Sequence, residues 1–315
     1  MDRASTLGLP SQRTRSMRIF LTGATGFIGS ALIPELQAAG HQILSFTRSD
    51  AGARRLAEAG VEPLRGDLTD LDRLRDGAAR AEGVIHTAFD HDDFTNFVAN
   101  CEKDRRAIAA LGEALKGSDR PLVITSGIGI GCPAPGVPAT EDVFNTAHPN
   151  PRIASELAGA ALSEAGVNVS VMRLPQVHDT VKQGLVTYLI DLARRTGVSA
   201  YLGDGANRWA AGPVYDVARL YRLALEAGEP GARYHAVAEE GVPAHAIAAV
   251  IGRGLGVPVV SLPPEEAGHF GWLSAFVGLD MPASSAWTRA RLGWAPTGPG
   301  LIADLERMDY GTVRV

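Results

Sequence analysis

From residue 17 to about residue 180, short apolar runs alternate with longer stretches in which apolar residues return every three or four positions. The runs at 17–21, 42–47, 61–65, 83–86, 121–126 and 168–173 have the length and composition of strands buried on both faces. The stretches at 30–39, 51–59, 70–78 and 92–115, and the one opening at 151, read as helices. In the longest of them Phe97, Cys101, Ile108, Leu111 and Leu115 fall on one face. Strands alternating with helices of this length predict right-handed βαβ units and a parallel sheet. Farther on, the pattern predicts a helix over 181–195, a strand over 234–237 and a helix over 244–255, then an aromatic-rich stretch holding Trp272 and Phe276. The expected fold class is α/β: a doubly wound parallel sheet with a smaller C-terminal lobe. Residues 1–16 show no apolar periodicity and read as a disordered leader.

Between the first strand and the first helix stand Gly23, Gly26 and Gly29. A strand turning tightly into a helix presents unpaired N–H groups and the positive end of the helix dipole, and glycines let a pyrophosphate approach them. This placement points to dinucleotide binding. Thr22-Gly-Ala-Thr-Gly-Phe-Ile-Gly29 resembles the TGxxGxxG motif of the extended and atypical short-chain dehydrogenases/reductases, and the order of later motifs matches that superfamily over 17–310. The resemblance implies a Rossmann-type domain over 17–180, with 199–227 returning to it, and a substrate lobe from 181–198 and 228–315. It also implies cofactor contacts from Gly23, Thr25, Gly26, Phe27, Ile28 and Gly29, adenine contacts from Asp67 and Leu68, a turn under the ribose at Thr87, Ala88 and Phe89, and a nicotinamide wall from Pro175, Gln176 and Val177. Asn100 matches a structural asparagine of the family, and Ser126 the serine that hydrogen-bonds a substrate carbonyl or hydroxyl; a serine merely capping the strand end is the alternative. Residues 203–209 resemble a loop that closes over the substrate, while Pro213 stands where a histidine is common. The second strand ends at Thr47-Arg48-Ser49 with no acid before Asp50, and guanidinium and hydroxyl suit a 2′-phosphate, so NADP(H) is favoured over NAD(H).

The family's Tyr-x-x-x-Lys dyad is missing: none of Tyr188, Tyr201, Tyr215, Tyr221, Tyr234 and Tyr310 has a lysine four residues on. The alignment puts Arg152 at the tyrosine and Glu156 at the lysine. Arg152 cannot supply a proton near neutral pH. It could pair with Glu156 one turn away, either replacing the lysine's ribose contacts or forming a surface salt bridge. His178, in the loop after the sixth strand, is the side chain best able to exchange a proton near pH 7, with a structural histidine as the alternative. Tyr188, Tyr215 or water are the other possible donors. Trp272, Phe276 and Trp294 read as lobe core.

The remaining chemistry narrows the choices. A formal charge of −5 over 315 residues offers no basic footprint for nucleic acid. No run of 18 apolar residues exists, and glycines interrupt the segment after Arg13–Arg15, so the expectation is a cytoplasmic protein with no membrane span. Cys101 and Cys132 read as free thiols, and His91-Asp92-Asp93 diverge too much on a helix to hold a metal. The resemblance implies a homodimer, since extended members commonly pair through the helices after the fourth and fifth strands, here 92–115 and 151–165; Ala154, Ala158, Gly159 and Ala161 would permit close helix approach, with packing of the helix onto the sheet as the alternative. Together these readings describe an NADP(H)-dependent enzyme acting on a carbonyl or hydroxyl of a small, fairly hydrophobic molecule. A non-redox isomerase or lyase, and a non-catalytic NADP(H)-sensing regulator, are the alternatives.

Overall fold

The computed structural model describes residues 15–91, 96–134 and 136–311. Its main sheet holds seven strands, all parallel: β1 (Arg18–Thr22), β2 (Gln42–Thr47), β3 (Glu62–Arg65), β4 (Gly83–His86), β5 (Leu122–Gly127), β6 (Val169–Leu174) and β10 (Arg233–His235), in the order β10-β6-β5-β4-β1-β2-β3. Because parallel strands need crossovers, helices cover both faces. On one face α1 (Phe27–Ala38) packs on α7 (Val214–Ala227), burying Leu32, Leu36, Val217 and Tyr221. The other carries α3 (Leu71–Ala79), α4 (Phe97–Glu113) and α5 (Ile153–Glu164), burying Leu74, Ile108, Leu111 and Leu162. Between β2 and β3 runs α2 (Asp50–Glu58), whose Ser49 Oγ accepts the N–H of Gly52 as a cap.

The second lobe is built on two small sheets. One holds β7 (Gln176–His178), β9 (Arg208–Pro213) and β11 (Glu239–Pro243); the other pairs β8 (Ser199–Leu202) with β12 (Val259–Leu262). Around them lie α6 (Leu185–Thr196), α8 (Ala244–Leu255), α9 (Ser274–Val277) and α11 (Leu301–Arg307), over a core including Ile190, Trp209, Ile251 and Leu305, while α10 (Ala286–Leu292) packs on α7 and β10 of the main sheet.

Several boundaries differ from the sequence expectation. The main sheet takes its edge strand β10 from a segment assigned to the lobe, while β8 and β9 of the segment assigned to the sheet lie in the lobe, and only α7 returns. Both segments bury apolar residues, so periodicity does not tell which sheet receives them. The expected helix at 181–195 begins only at Leu185, because Gly184 sits at φ +51° and ends a turn. Residues 1–14 of the leader lie outside the described residues, but Arg15 pairs with Glu82 at 2.8 Å and Ser16 Oγ donates to the carbonyl of Gly40. Gly159 serves the sheet, since a Cβ there would sit 2.6 Å from Ile124.

Candidate active site

The glycine turn is shaped by contacts that forbid side chains. Gly23 has φ +79°, and a Cβ on it would lie 2.7 Å from the Ala88 nitrogen. A Cβ on Gly29 would lie 2.1 Å from the Gly23 carbonyl oxygen, so the first turn of α1 can close against the end of β1 only over a glycine. Gly26 is the N-cap of α1; no side chain caps this helix end and no acid occupies its first turn. The first N–H groups and the dipole are thereby left for an anion.

This turn opens into a cleft of about 670 Å³ along the carboxyl ends of the strands. The cleft is lined by Gly23, Thr25, Gly26, Phe27, Ile28, Gly29, Arg48, Asp67, Leu68, Thr87, Ala88, Phe89, Ser126, Pro175, Gln176 and Val177, all predicted site residues. Two predicted residues stand elsewhere. Ser49 does not line the cleft, its hydroxyl being the acceptor that caps α2. His178 is fully buried on β7 outside the lining, with its Nδ1 2.7 Å from Asp304 Oδ2 on α11. Its Nε2 has no partner among the described residues. An imidazole held this way cannot reach a substrate in the cleft, so the proton-donor reading of His178 is dropped.

Ser126, at the end of β5, is 3% exposed, and its Oγ is a buried hydroxyl without a partner among the described residues. Leaving a buried hydroxyl unpaired costs about 1–3 kcal/mol, which a ligand oxygen in the cleft would recover. Beside it stands Arg152, just before α5. Its Nη1 donates to Asp104 Oδ2 at 2.5 Å, its Nη2 to the Thr125 carbonyl at 3.0 Å, and the guanidinium lies 4.1 Å above the Phe89 ring. Asp104 is buried and also receives the Ser155 hydroxyl at 2.6 Å and His86 Nε2 at 3.0 Å, while His86 Nδ1 lies 2.7 Å from Thr22 Oγ1. Burial alone would raise the Asp104 carboxyl, but Arg152, then His86 and Ser155, hold it well below the usual carboxylate range. A fixed charge chain thus joins the end of β1 to the cleft.

The Arg152–Glu156 pair expected from helical spacing does not form. Glu156 is buried on the sheet side of α5, where Arg173 of β6 donates to both its oxygens at 2.9 Å. Helical spacing brings residues 152 and 156 near one another, but the buried acid takes the bidentate partner offered by the sheet. The segment at 203–209 does not line the cleft either: Arg208 pairs with Asp280 at 2.9 Å and Trp209 is in the lobe core. Asn100 is buried on α4 and stays off the lining. Sequence reasoning missed Asn150, Lys182, Gly184, Leu185 and Phe276 as lining residues, and Tyr188 enters as the one tyrosine of six that lines the cleft. Tyr221 is buried with its hydroxyl 2.6 Å from Thr125 Oγ1, and Tyr215 is 69% exposed outside the lining. Phe276, expected in the lobe core, also faces the cleft, and Trp272 is 40% exposed. Among the described residues no group of three metal-ligating side chains exists, and residues 92 and 93 of the His-Asp-Asp run lie outside them.

The glycine cradle, the uncapped helix start and the orphaned Ser126 hydroxyl fit a dinucleotide lying across the sheet with its reactive end at β5. Comparisons with known proteins bear on the family and the fold. The chain is 45% identical over 296 residues to the uncharacterized protein C2A9.02 of Schizosaccharomyces pombe, covering 93% of this chain and 100% of that one. It is 28% identical over 230 residues to a 2-alkyl-3-oxoalkanoate reductase of Stenotrophomonas maltophilia, covering 69% and 67%. Its fold matches that of the UDP-glucose 4-epimerase of Thermus thermophilus in complex with NAD, at a TM-score of 0.74 and 22% identity over 95% of this chain and 100% of that one. The model of the NAD dependent epimerase/dehydratase family matches residues 19–237. The fold is Rossmann-type, and the chain belongs to the NAD dependent epimerase/dehydratase family.

Proposed function

We propose that this protein is an NADP(H)-dependent oxidoreductase interconverting a carbonyl and a hydroxyl on a small, fairly hydrophobic molecule. The observation carrying this reading is the buried, unpartnered Ser126 hydroxyl in the same cleft as the glycine turn. Pro175 and Val177 would wall the nicotinamide, which when bound would supply the hydride. Ser126 donates a hydrogen bond to the carbonyl oxygen, and the Arg152 cation beside it stabilises charge developing there. Tyr188 takes the place of His178 as proton donor at its hydroxyl. Burial pushes its pKa up, so the phenol keeps its proton at neutral pH. Leu174, Leu185 and Phe276 supply apolar wall. The relative named as a 2-alkyl-3-oxoalkanoate reductase supports carbonyl chemistry.

NADP(H) is the preferred cofactor in this reading. Arg48 lines the cleft at the end of β2, and Asp50, the first acid after it in the sequence, is an exposed side chain 3.3 Å from Arg65. The protein works in the cytoplasm as a homodimer joined through α4 and α5. An open cleft beside Ser126 argues against a pure cofactor sensor, which has no need of one. The test is NADPH consumption against a panel of aldehydes and ketones. Turnover should fall by about 10²–10⁴-fold in Ser126→Ala and in Tyr188→Phe while NADPH affinity stays nearly constant. Tight NADPH binding with no turnover anywhere would instead favour the non-redox isomerase or lyase.

A further inference from the structure

We propose that the substrate carries a carboxylate, seated between Lys182 and Arg152, with its apolar body along Leu185, Tyr188 and Phe276. This rests on the reading above that the Ser126 half of the cleft receives substrate. The strand order sorts the charges of the cleft. Arg48 and Asp67 follow β2 and β3, whereas Ser126 follows β5, four strands from β3 and so about 19 Å away at roughly 4.8 Å per strand. Asp90, after β4, is taken by Lys103 at 2.5 Å. On the substrate side the charged lining side chains are then Arg152, which precedes α5, and Lys182, in the loop between β7 and α6, with His91 at the exposed edge.

The two cations differ in kind. Arg152 is locked by Asp104, Thr125 and Phe89, and Asp104 offsets its charge from behind; its Nε–H makes no bond among the described residues. The exposed Lys182 ammonium has no carboxylate within 4 Å among the described residues, because Asp179 of its own turn spends Oδ1 on the backbone N–H groups of 181 and 182. A mobile, uncompensated ammonium at the mouth and a fixed guanidinium deeper in the wall suit a single anion. Both cations act on the same neighbour: His91 is pushed below its ordinary value by desolvation and then by Arg152 and Lys182. The neighbouring wall is apolar. Tyr188 is braced edge-on by Trp272 at 5.1 Å, and Leu185 and Phe276 flank it. A carboxylate enters such surroundings only when paired, so cations beside an apolar wall select an acid with a hydrocarbon body over a neutral alcohol or ketone.

The experiment titrates the full-length protein, saturated with NADP⁺, with octanoate and with octanamide, which matches it in shape but is neutral. Octanoate should bind at least about tenfold tighter, and added NaCl should weaken octanoate alone. Lys182→Met should remove most of the difference, Lys182→Arg should keep it, and NADP⁺ affinity should stay constant in both. Equal binding of the two probes, or binding of neither, overturns the proposal. So does a Lys182→Met protein whose loss is in NADP⁺ affinity, since the ammonium would then serve the cofactor phosphates. Turnover of neutral ketones without acid selectivity sinks this proposal alone. Acid selectivity with no hydride transfer to any carbonyl upholds it and sinks the redox reading.

Discussion

At the scale of the residue, position in the fold decided chemistry that residue type left open. Histidine suggested proton transfer at residue 178, yet the Asp304 carboxylate and the surrounding lobe core hold that imidazole out of the cleft. Arginine at 152 suggested a surface ion pair, yet the guanidinium is 14% exposed and clamped by Asp104, Thr125 and Phe89 at the cleft wall. In the proposed reading, Arg48 is the residue on which cofactor choice turns. Replacing it by Asp removes a cation and adds an anion next to the 2′-phosphate of NADPH. A charge-assisted hydrogen bond contributes about 1.5–3 kcal/mol, so Arg48→Asp should weaken NADPH by roughly ten- to hundredfold and NADH far less. Calorimetric titration with both cofactors checks this, and equal losses would remove Arg48 from phosphate recognition.

At the scale of the element, the strand–turn–helix unit of β1 and α1 is the most constrained part of the site. The helix can start where it does only because Gly29 lets its backbone touch the Gly23 carbonyl. Gly29→Ala would push a methyl against backbone atoms that have no rotamer to yield. The expected result is a loss of about 1–3 kcal/mol in stability, typical of overpacking, together with weakened cofactor binding as the turn is displaced. Denaturant unfolding and NADPH titration on the same protein test both halves. Unchanged values would mean that the turn relaxes freely. The loop from Asp179 to Gly184 teaches a complementary point. Amphipathic spacing extended the helix of 181–195 back into this loop, but the positive φ of Gly184 and the Asp179 turn break it before Leu185. That break is what brings Lys182 to the cleft mouth.

At the scale of the whole molecule, the chain crosses between lobe and sheet more than once, and the cleft lies where they meet. The proposed dimer would use α4 and α5, whose first turns leave Val98 68% and Leu157 40% exposed. Gly112 packs tightly on Leu162 and Gly159 on Ile124, so these two small residues serve intramolecular packing, and the interface must rest on exposed side chains. Leu157→Asp should therefore give a monomer by light scattering at micromolar concentration, with the fold intact by circular dichroism. A wild-type monomer under the same conditions would exclude the dimer.

The sequence by itself determined the alternation of strands and helices through β6, the glycine turn and most of the residues it placed along the cleft. Each of these depends on contacts within a few residues: apolar periodicity, the N–H groups of one helix start, the short side chains of one turn. Tertiary structure alone decided which further side chains line the cleft beside Ser126. Arg152 and Glu156 are one turn apart, yet one opens to the cleft and the other is buried against Arg173, because the sheet supplies a bidentate partner on only one side of α5. Lys182, Tyr188 and Phe276 reach the Ser126 side from a different lobe. Their proximity follows from how the lobe docks on the sheet, a long-range packing outcome that no local period in the chain encodes.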